Sequence, residues 1–164
     1  MPPRSSKPPA APVLDAGLRL LGRRAHSRQE LRSKLLRRGY QQDEVQGAIS
    51  RLAELGYLND QAFADGHIRR RSRTLGPLAL SAELAARGVA RETADRALAG
   101  VTATVQLAAA VGLVRRLSGR KEAASYRELL DSTGSKLLRR GFSAGIAREA
   151  CRAVWVGTLD TPEA

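Results

Sequence analysis

Cysteine and histidine are scarce in this sequence of 164 residues, which holds one cysteine and two histidines. The single cysteine, Cys151, excludes an internal disulfide framework and a cysteine-rich zinc site. His26 and His67 lie far apart in the sequence, and neither has the spacing of a metal-ligand pair. We therefore expect no metal site, and we expect both histidines to be exposed to solvent.

Long apolar runs and catalytic motifs are also absent. No apolar run reaches the roughly 20 residues that span a bilayer, and the proline-rich N-terminus lacks the apolar segment of a secretory signal. We expect a cytoplasmic protein that makes no membrane contact. The sequence contains no phosphate-binding glycine loop, no dinucleotide fingerprint and no Gly-x-Ser-x-Gly elbow. These absences predict a protein that is not an enzyme, has no catalytic residues and needs no cofactor.

Acidic residues are few relative to basic ones. The chain has 16 Asp and Glu against 28 Lys and Arg, which gives a formal net charge of +12. Such an excess predicts an anionic partner, which is nucleic acid, an acidic protein surface or an anionic membrane. The positive charge is spread along the chain rather than confined to a tail, and its self-repulsion favours a soluble monomer.

Strand patterns are missing, and the signals that remain are helical. Ser27 and Glu30 have the spacing of a capping box at a helix start. We expect Gly39 to end the helix that Ser27 begins, Asp60 to cap another helix, and Pro77 to occupy the first position of the helix after that one. These signals predict an all-α fold.

A sequence repeat is the most informative feature. The segment Lys34–Tyr40 matches Lys136–Phe142 at six of seven positions, and Glu83–Val89 is a weaker third copy. Each copy contains a glycine, which we expect to end a middle helix and turn the chain, and the aromatic residue after it in two copies should pack as a hydrophobic clip. Apolar residues follow each glycine after six and ten positions, as a buried helix face requires: Val45 and Ile49, Ala94 and Leu98, Ala147 and Cys151.

The repeat predicts the domain organisation. A unit of about fifty residues has room for three short helices, and three such units stack into an extended array. We expect a disordered basic arm over residues 1–12, helical repeats over 13–58, 59–100 and 101–156, and a tail over 157–164.

Basic clusters are the candidate binding sites. Arg69–Arg73 is the densest cluster, and it exceeds what helix capping needs; Arg69 and Arg73 share one helix stripe, while Arg70 and Arg71 point elsewhere. The arginines before the repeat glycines have two interpretations, since a cation at a helix C-terminus also complements the dipole. The predicted partner- or anion-binding residues are Arg69, Arg70, Arg71, Arg73, Arg19, Arg23, Arg28, Arg32, Lys34, Arg37, Arg38, Arg139 and Arg140, and Arg24 belongs to the same basic zone.

Several of these residues form a recognisable block. It reads Gly56-Tyr57-Leu58-Asn59-Asp60-x-x-Phe63-Ala64, then Arg71-Ser72-Arg73, Gly76-Pro77, Glu83-Leu84 and Arg87-Gly88-Val89, preceded by Ser27-Arg28-Gln29-Glu30-Leu31, Lys34-Leu35 and Arg38-Gly39-Tyr40. The block resembles the signature of the RecX family, the regulators of the recombinase RecA, and the resemblance covers roughly residues 14–156.

The resemblance implies three tandem three-helix units in an elongated, curved, all-helical molecule. It implies a protein that binds the RecA filament on single-stranded DNA and dampens ATP hydrolysis, strand exchange and co-protease activity. Such a protein acts in DNA repair, recombination and the SOS response, and the family offers no catalytic residues to carry over. The net charge adds a weak, salt-sensitive affinity for single- or double-stranded DNA.

Two other functions fit the sequence. Short helices joined by glycine turns also suit a DNA-binding regulator of helix-turn-helix type, although no single helix looks like a recognition helix. A helical adaptor for an unrelated acidic protein is the third hypothesis.

Overall fold

The computed structural model describes residues 11–119 and 123–159. Residues 1–10 of the predicted arm and residues 160–164 of the predicted tail lie outside the described residues. Every regular element in the described part is a helix, so the all-α fold class is confirmed. The helices are α1 (Val13–Leu21), α2 (Arg28–Arg37), α3 (Gln42–Glu54), α4 (Asp60–Arg71), α5 (Pro77–Ala86), α6 (Arg91–Leu98), α7 (Ala103–Ser118), α8 (Tyr126–Leu129), α9 (Ser135–Arg139) and α10 (Ala144–Leu159).

The chain forms two compact units. The first comprises the residues up to Asp65 together with Leu84–Ala94, and the second comprises Gly66–Glu83 together with the chain from Asp95 onward. Within the described ranges, no single helix has the length and apolar character of a membrane span, whereas Arg91–Leu98 and Ala103–Ser118 meet that criterion as a bent pair by length and composition alone.

The core of the first unit lies between α1, α2 and α3, which pack against one another. Tyr40 is buried in this core, as predicted for a clip that follows a repeat glycine. Its hydroxyl donates a hydrogen bond of 2.7 Å to the carbonyl oxygen of Ala11. The buried members of this core are Ala16, Leu20, Leu31, Leu35, Tyr40, Val45, Ile49, Leu52 and Leu58.

The core of the second unit lies mainly between α7 and α10, with α8 and α9 packed beside them. A single π-helical turn, Leu130–Gly134, connects α8 to α9. Phe142 is buried as predicted, and so is Cys151, whose sulfur lies 3.4 Å from the hydroxyl oxygen of Thr133. Burial raises the pKa of the Cys151 thiol, while the hydrogen bond with Thr133 opposes that rise. A buried protonated thiol packs as a small apolar group.

Two predicted helix caps have different outcomes. Ser27 and Glu30 form the predicted capping box at the start of α2. The prediction that Asp60 caps α4 is wrong, because the side-chain oxygen of Asn59 accepts the hydrogen bond from the Ala62 amide. Asp60 instead accepts a hydrogen bond of 2.8 Å from the backbone amide of Arg28. Its carboxylate therefore satisfies a free donor at the N-terminus of α2.

The repeat glycine after α5 meets the N-terminus of α2 within the first unit. The Ser27 hydroxyl donates to the carbonyl oxygen of Arg87, while the same oxygen of Ser27 accepts from the amide of Glu30. A Cβ atom on Gly88 would lie 2.4 Å from the Cβ of Gln29. Only glycine permits this approach, which sets the negative end of one helix against the positive end of another.

The same contact recurs in the second unit, between the end of α9 and the start of α5. The amide of Gly76 donates a hydrogen bond of 2.8 Å to the carbonyl oxygen of Arg140, and the amide of Leu78 donates to Gly141. A Cβ atom on Gly141 would lie 2.3 Å from the backbone nitrogen of Ala79. The repeat glycine therefore ends its helix, as predicted, and also admits the backbone of another helix.

Gly141 and Gly56 separate these two roles experimentally. Both have positive φ angles, 82° and 78°, but nothing lies within 4 Å of a Cβ placed on Gly56. We expect Gly56→Ala to lower the free energy of unfolding by about 1–2 kcal/mol, the cost of a left-handed backbone. Gly141→Ala should cost about 1–3 kcal/mol more, because its methyl group must displace the backbone of α5. Urea unfolding of both variants tests this, and equal losses would contradict the close-approach role.

Candidate functional site

A basic cavity opens in the first unit where the turn between α1 and α2 faces the last turns of α2. It has a volume of about 480 Å³. Leu20 is the one apolar residue of the lining, and the other lining residues are histidine, lysine or arginine. They are Arg23, Arg24 and His26 from the turn and Lys34, Arg37 and Arg38 from α2.

His26 holds the two sides of the cavity together. The residue is 3% exposed, so the prediction of an exposed histidine is wrong. Nδ1 lies 2.9 Å from the carbonyl oxygen of Arg24, which can only accept, so Nδ1 donates that hydrogen bond. Nε2 lies 2.9 Å from Nζ of Lys34 and accepts a hydrogen bond from it. Burial and the charges of Arg24 and Lys34 lower the pKa of His26, although the hydrogen bond to the Arg24 carbonyl opposes them.

The pKa of Lys34 reflects the positive charges around the cavity. Burial lowers the pKa of its ammonium group, and the charge of Arg24 lowers it further. Glu30 opposes this fall, and Arg37 and Arg38 add smaller contributions in the same direction as Arg24. An anion bound beside Lys34 would offset the charges of the neighbouring arginines.

Glu30 fixes the turn that forms one side of the cavity. Its carboxylate lies 3.1 Å from the guanidinium group of Arg24 and 2.9 Å from that of Arg87. Burial raises the pKa of the Glu30 carboxyl, but the hydrogen bonds from Arg24 and the Ser27 amide, with the charges of both arginines, leave it below its usual range. The carboxylate is thus charged, and it keeps Arg24 beside the cavity.

The fold brings together only part of the predicted basic zone. Arg23, Lys34, Arg37 and Arg38 line the cavity, whereas Arg19, Arg28 and Arg32 do not. His26 was absent from the predicted binding set. Its position one residue before a capping box was a usable signal, because the side chain that precedes the N-cap often packs back onto the helix that follows.

The cluster Arg69–Arg73 lies in the second unit, at the end of α4. Arg71 donates hydrogen bonds to Glu83, the shorter of them 2.8 Å, and His67 lies 2.7 Å from the same carboxylate. The hydrogen bond from Arg71 holds the pKa of Glu83 below its usual range, against a smaller effect of burial. His67 is 5% exposed, so the prediction that it is exposed is wrong as well. Arg71 is therefore engaged in joining α4 to α5.

The other arginines of this cluster are exposed. The guanidinium groups of Arg69 and Arg70 both lie beside Gly66, 3.9 and 3.3 Å from the place that a Cβ would take. Arg70 therefore lies near Arg69 rather than pointing elsewhere. Arg139 ends α9 and Arg140 is its C-cap, whose carbonyl oxygen accepts a hydrogen bond from the amide of Gly76.

Comparison with known proteins shows which family this architecture represents. Residues 14–52 match the model of the RecX first three-helix domain, and residues 59–98 match that of the RecX second three-helix domain. The chain is 39% identical over 140 residues to the regulatory protein RecX of Thermus thermophilus, covering 85% of this chain and 90% of that protein. The chain belongs to the RecX family.

Other members of the RecX family agree in sequence and structure. The regulatory protein RecX of Halorhodospira halophila is 40% identical over 142 residues, which covers 86% of this chain and 87% of that protein. The crystal structure of RecX from Lactobacillus salivarius superposes with a TM-score of 0.79 at 26% identity, covering 88% of this chain and 95% of that one. The relatives from Thermus thermophilus and Halorhodospira halophila are both named regulatory proteins.

Glu30→Gln tests the charged network beside the cavity. A depressed pKa means that the carboxylate stabilises the fold above its unfolded pKa of about 4.3, and that this stability is lost as the pH falls. We expect the variant to lose about 1–3 kcal/mol of unfolding free energy at pH 7, with the difference from wild type shrinking below about pH 4. Glu54→Gln, which removes an exposed partner of Arg51, is the control and should cost under about 0.5 kcal/mol. A difference that does not change with pH would contradict the role of charge.

The protonation of His26 is accessible to nitrogen NMR. We expect the ring to carry its neutral proton on Nδ1 and to titrate below pH 6.5, because burial and two cations disfavour its charged form. Lys34→Gln removes one of those cations and should move the pKa of His26 upward. A pKa at or above 6.5 in the wild type would contradict the geometry of the cavity.

Proposed function

We propose that this protein is an inhibitor of the RecA recombinase that binds the RecA filament on single-stranded DNA. Binding would dampen ATP hydrolysis, strand exchange and co-protease activity. The observation that carries the proposal is membership of the RecX family, shown by 39% identity to a regulatory protein RecX over 85% of this chain. The proposal places the protein in the cytoplasm, where RecA and DNA are, as a monomer.

The exposed arginines supply a physical reason for this partner. The filament offers two anionic surfaces, the acidic side chains of RecA and the phosphates of DNA, and arginine binds both through paired hydrogen bonds. Arg69, Arg70 and Arg73 are exposed at the end of one helix, so they can bind without breaking a contact of the fold. Arg71 is held by Glu83 and serves the scaffold instead.

ATP hydrolysis by purified RecA on single-stranded DNA, titrated with this protein, tests the proposal. We expect inhibition well below one protein per RecA. The triple variant Arg69→Gln, Arg70→Gln, Arg73→Gln should need about tenfold more protein or beyond, since each factor of ten corresponds to about 1.4 kcal/mol. Arg71 stays in place so that the pair with Glu83 is preserved.

A charge-matched control separates a specific contact from bulk charge. Arg115, Arg127 and Arg152 are exposed in the same unit, and replacing them with glutamine removes the same charge. We expect that control to change the inhibition by less than about twofold. Inhibition only when the protein coats all the DNA, reduced equally by both triples, would contradict filament binding and indicate competition for phosphate. A sequence-specific gel shift that survives competitor DNA would instead support a helix-turn-helix regulator.

A further inference from the structure

We propose that the basic cavity of the first unit, lined by Arg23, Arg24, His26, Lys34, Arg37 and Arg38, is a phosphoryl-binding site that holds the backbone of single-stranded nucleic acid. This inference rests on the part of the proposed function that concerns single-stranded DNA, and it names the site and the chemical group that binds there. Binding at this site does not require RecA.

The charge of the lining is the first argument. Five of its seven residues are arginine or lysine, and none is acidic. In the described part of the chain, Arg23, Arg37 and Arg38 have no carboxylate within 4.0 Å. Glu30 neutralises Arg24 alone in this group, so most of the positive charge in the cavity is uncompensated.

The orientation of donors is the second argument. Neutral His26 accepts one hydrogen bond from Lys34, which fixes the ammonium group and leaves its other donors for a ligand. The Nε of Arg37 donates a hydrogen bond to the carbonyl oxygen of Ser33. This bond orients the guanidinium group of Arg37 and leaves its terminal nitrogens available to a ligand. A site whose cations are already positioned loses less side-chain entropy when it binds.

The shape and chemistry of the lining select the ligand. A carboxylate offers two oxygens, whereas successive phosphates along a strand offer an oxygen pair to each of several arginine forks. Leu20 is the one apolar residue of the lining, and no aromatic ring is present there to stack on a base. The cavity therefore suits the sugar-phosphate backbone, which binds without sequence preference.

Fluorescence anisotropy of a labelled oligothymidylate, with the full chain and without RecA, tests the site. The pocket variant is Arg23→Gln with Arg38→Gln, and the control is Arg51→Gln with Arg91→Gln, which removes the same charge from exposed positions of the same unit outside the predicted binding set. We expect the pocket variant to bind at least tenfold more weakly. Its slope of log affinity against log salt should be shallower by about 1.4, since each lost contact to a single strand contributes about 0.7. The control should keep the slope within about 0.3 of wild type.

A second arm distinguishes the source of the phosphoryl group. Pyrophosphate is titrated while the NMR signals of the His26 ring are followed. Shifts that saturate in the wild type, are absent in the pocket variant and accompany release of the oligonucleotide would support the site and extend it to free phosphate compounds. Loss of oligonucleotide binding with no effect of pyrophosphate would support the site for the strand alone.

Two results would overturn the inference. Equal weakening by the pocket and control variants would mean that the oligonucleotide responds to net charge and not to the cavity. Unchanged binding of oligonucleotide and pyrophosphate, with binding to the RecA filament lost, would assign the cavity to an acidic protein surface. Because the oligonucleotide assay contains no RecA, failure of this site and failure of the proposed regulation give different results.

Discussion

The structure depends on one recurring contact, in which the C-terminal end of one helix packs against the first turn of another helix. Ser27 binds the carbonyl of Arg87, and Gly76 binds the carbonyl of Arg140. Each contact satisfies a carbonyl that a helix end leaves free, and each brings opposite ends of two helix dipoles together. The approach is so close that the residue after each carbonyl has no room for a side chain. Gly88 and Gly141 are therefore required by a packing contact as well as by the turn.

The same contact sets the geometry of the basic cavity. Ser27 begins α2, and Glu30, three residues later, is held by Arg87 from the end of α5 and by Arg24 from the preceding turn. This network fixes the turn that carries Arg23 and His26, so the cations of the turn face those of α2. A protein without catalytic motifs thereby obtains a preorganised, positively charged concavity from ordinary capping interactions.

Local signals in the sequence predicted the features that depend on neighbouring residues. The Ser27 and Glu30 capping box, Pro77 at a helix start and the burial of Cys151 follow from fixed spacings, and the structure confirms them. The Asp60 cap was wrong because Asn59, one residue earlier, offers the same chemistry in the position that the backbone selects. The freed carboxylate of Asp60 then caps α2 instead.

Contacts between segments that are far apart in the sequence could not be predicted from local patterns. Burial of His26 and His67 depends on partners, Lys34 and Glu83, that only the tertiary fold brings within reach. Arg71 looked like one more cation in a cluster, yet its partner lies twelve residues away on the next helix. The sequence thus predicted the basic zones and could not divide them into arginines that hold the fold and arginines that remain exposed.

The central claim is that exposed arginines at the turn before α2 and at the end of α4 bind the RecA filament. Hydrogen-exchange mass spectrometry of the protein on RecA filaments tests this claim most directly. On binding, we expect slower exchange in peptides covering residues 20–38 and 66–75, with α7 and α10 unchanged. Protection confined to α7 and α10, or no protection at all at saturating filament, would contradict it.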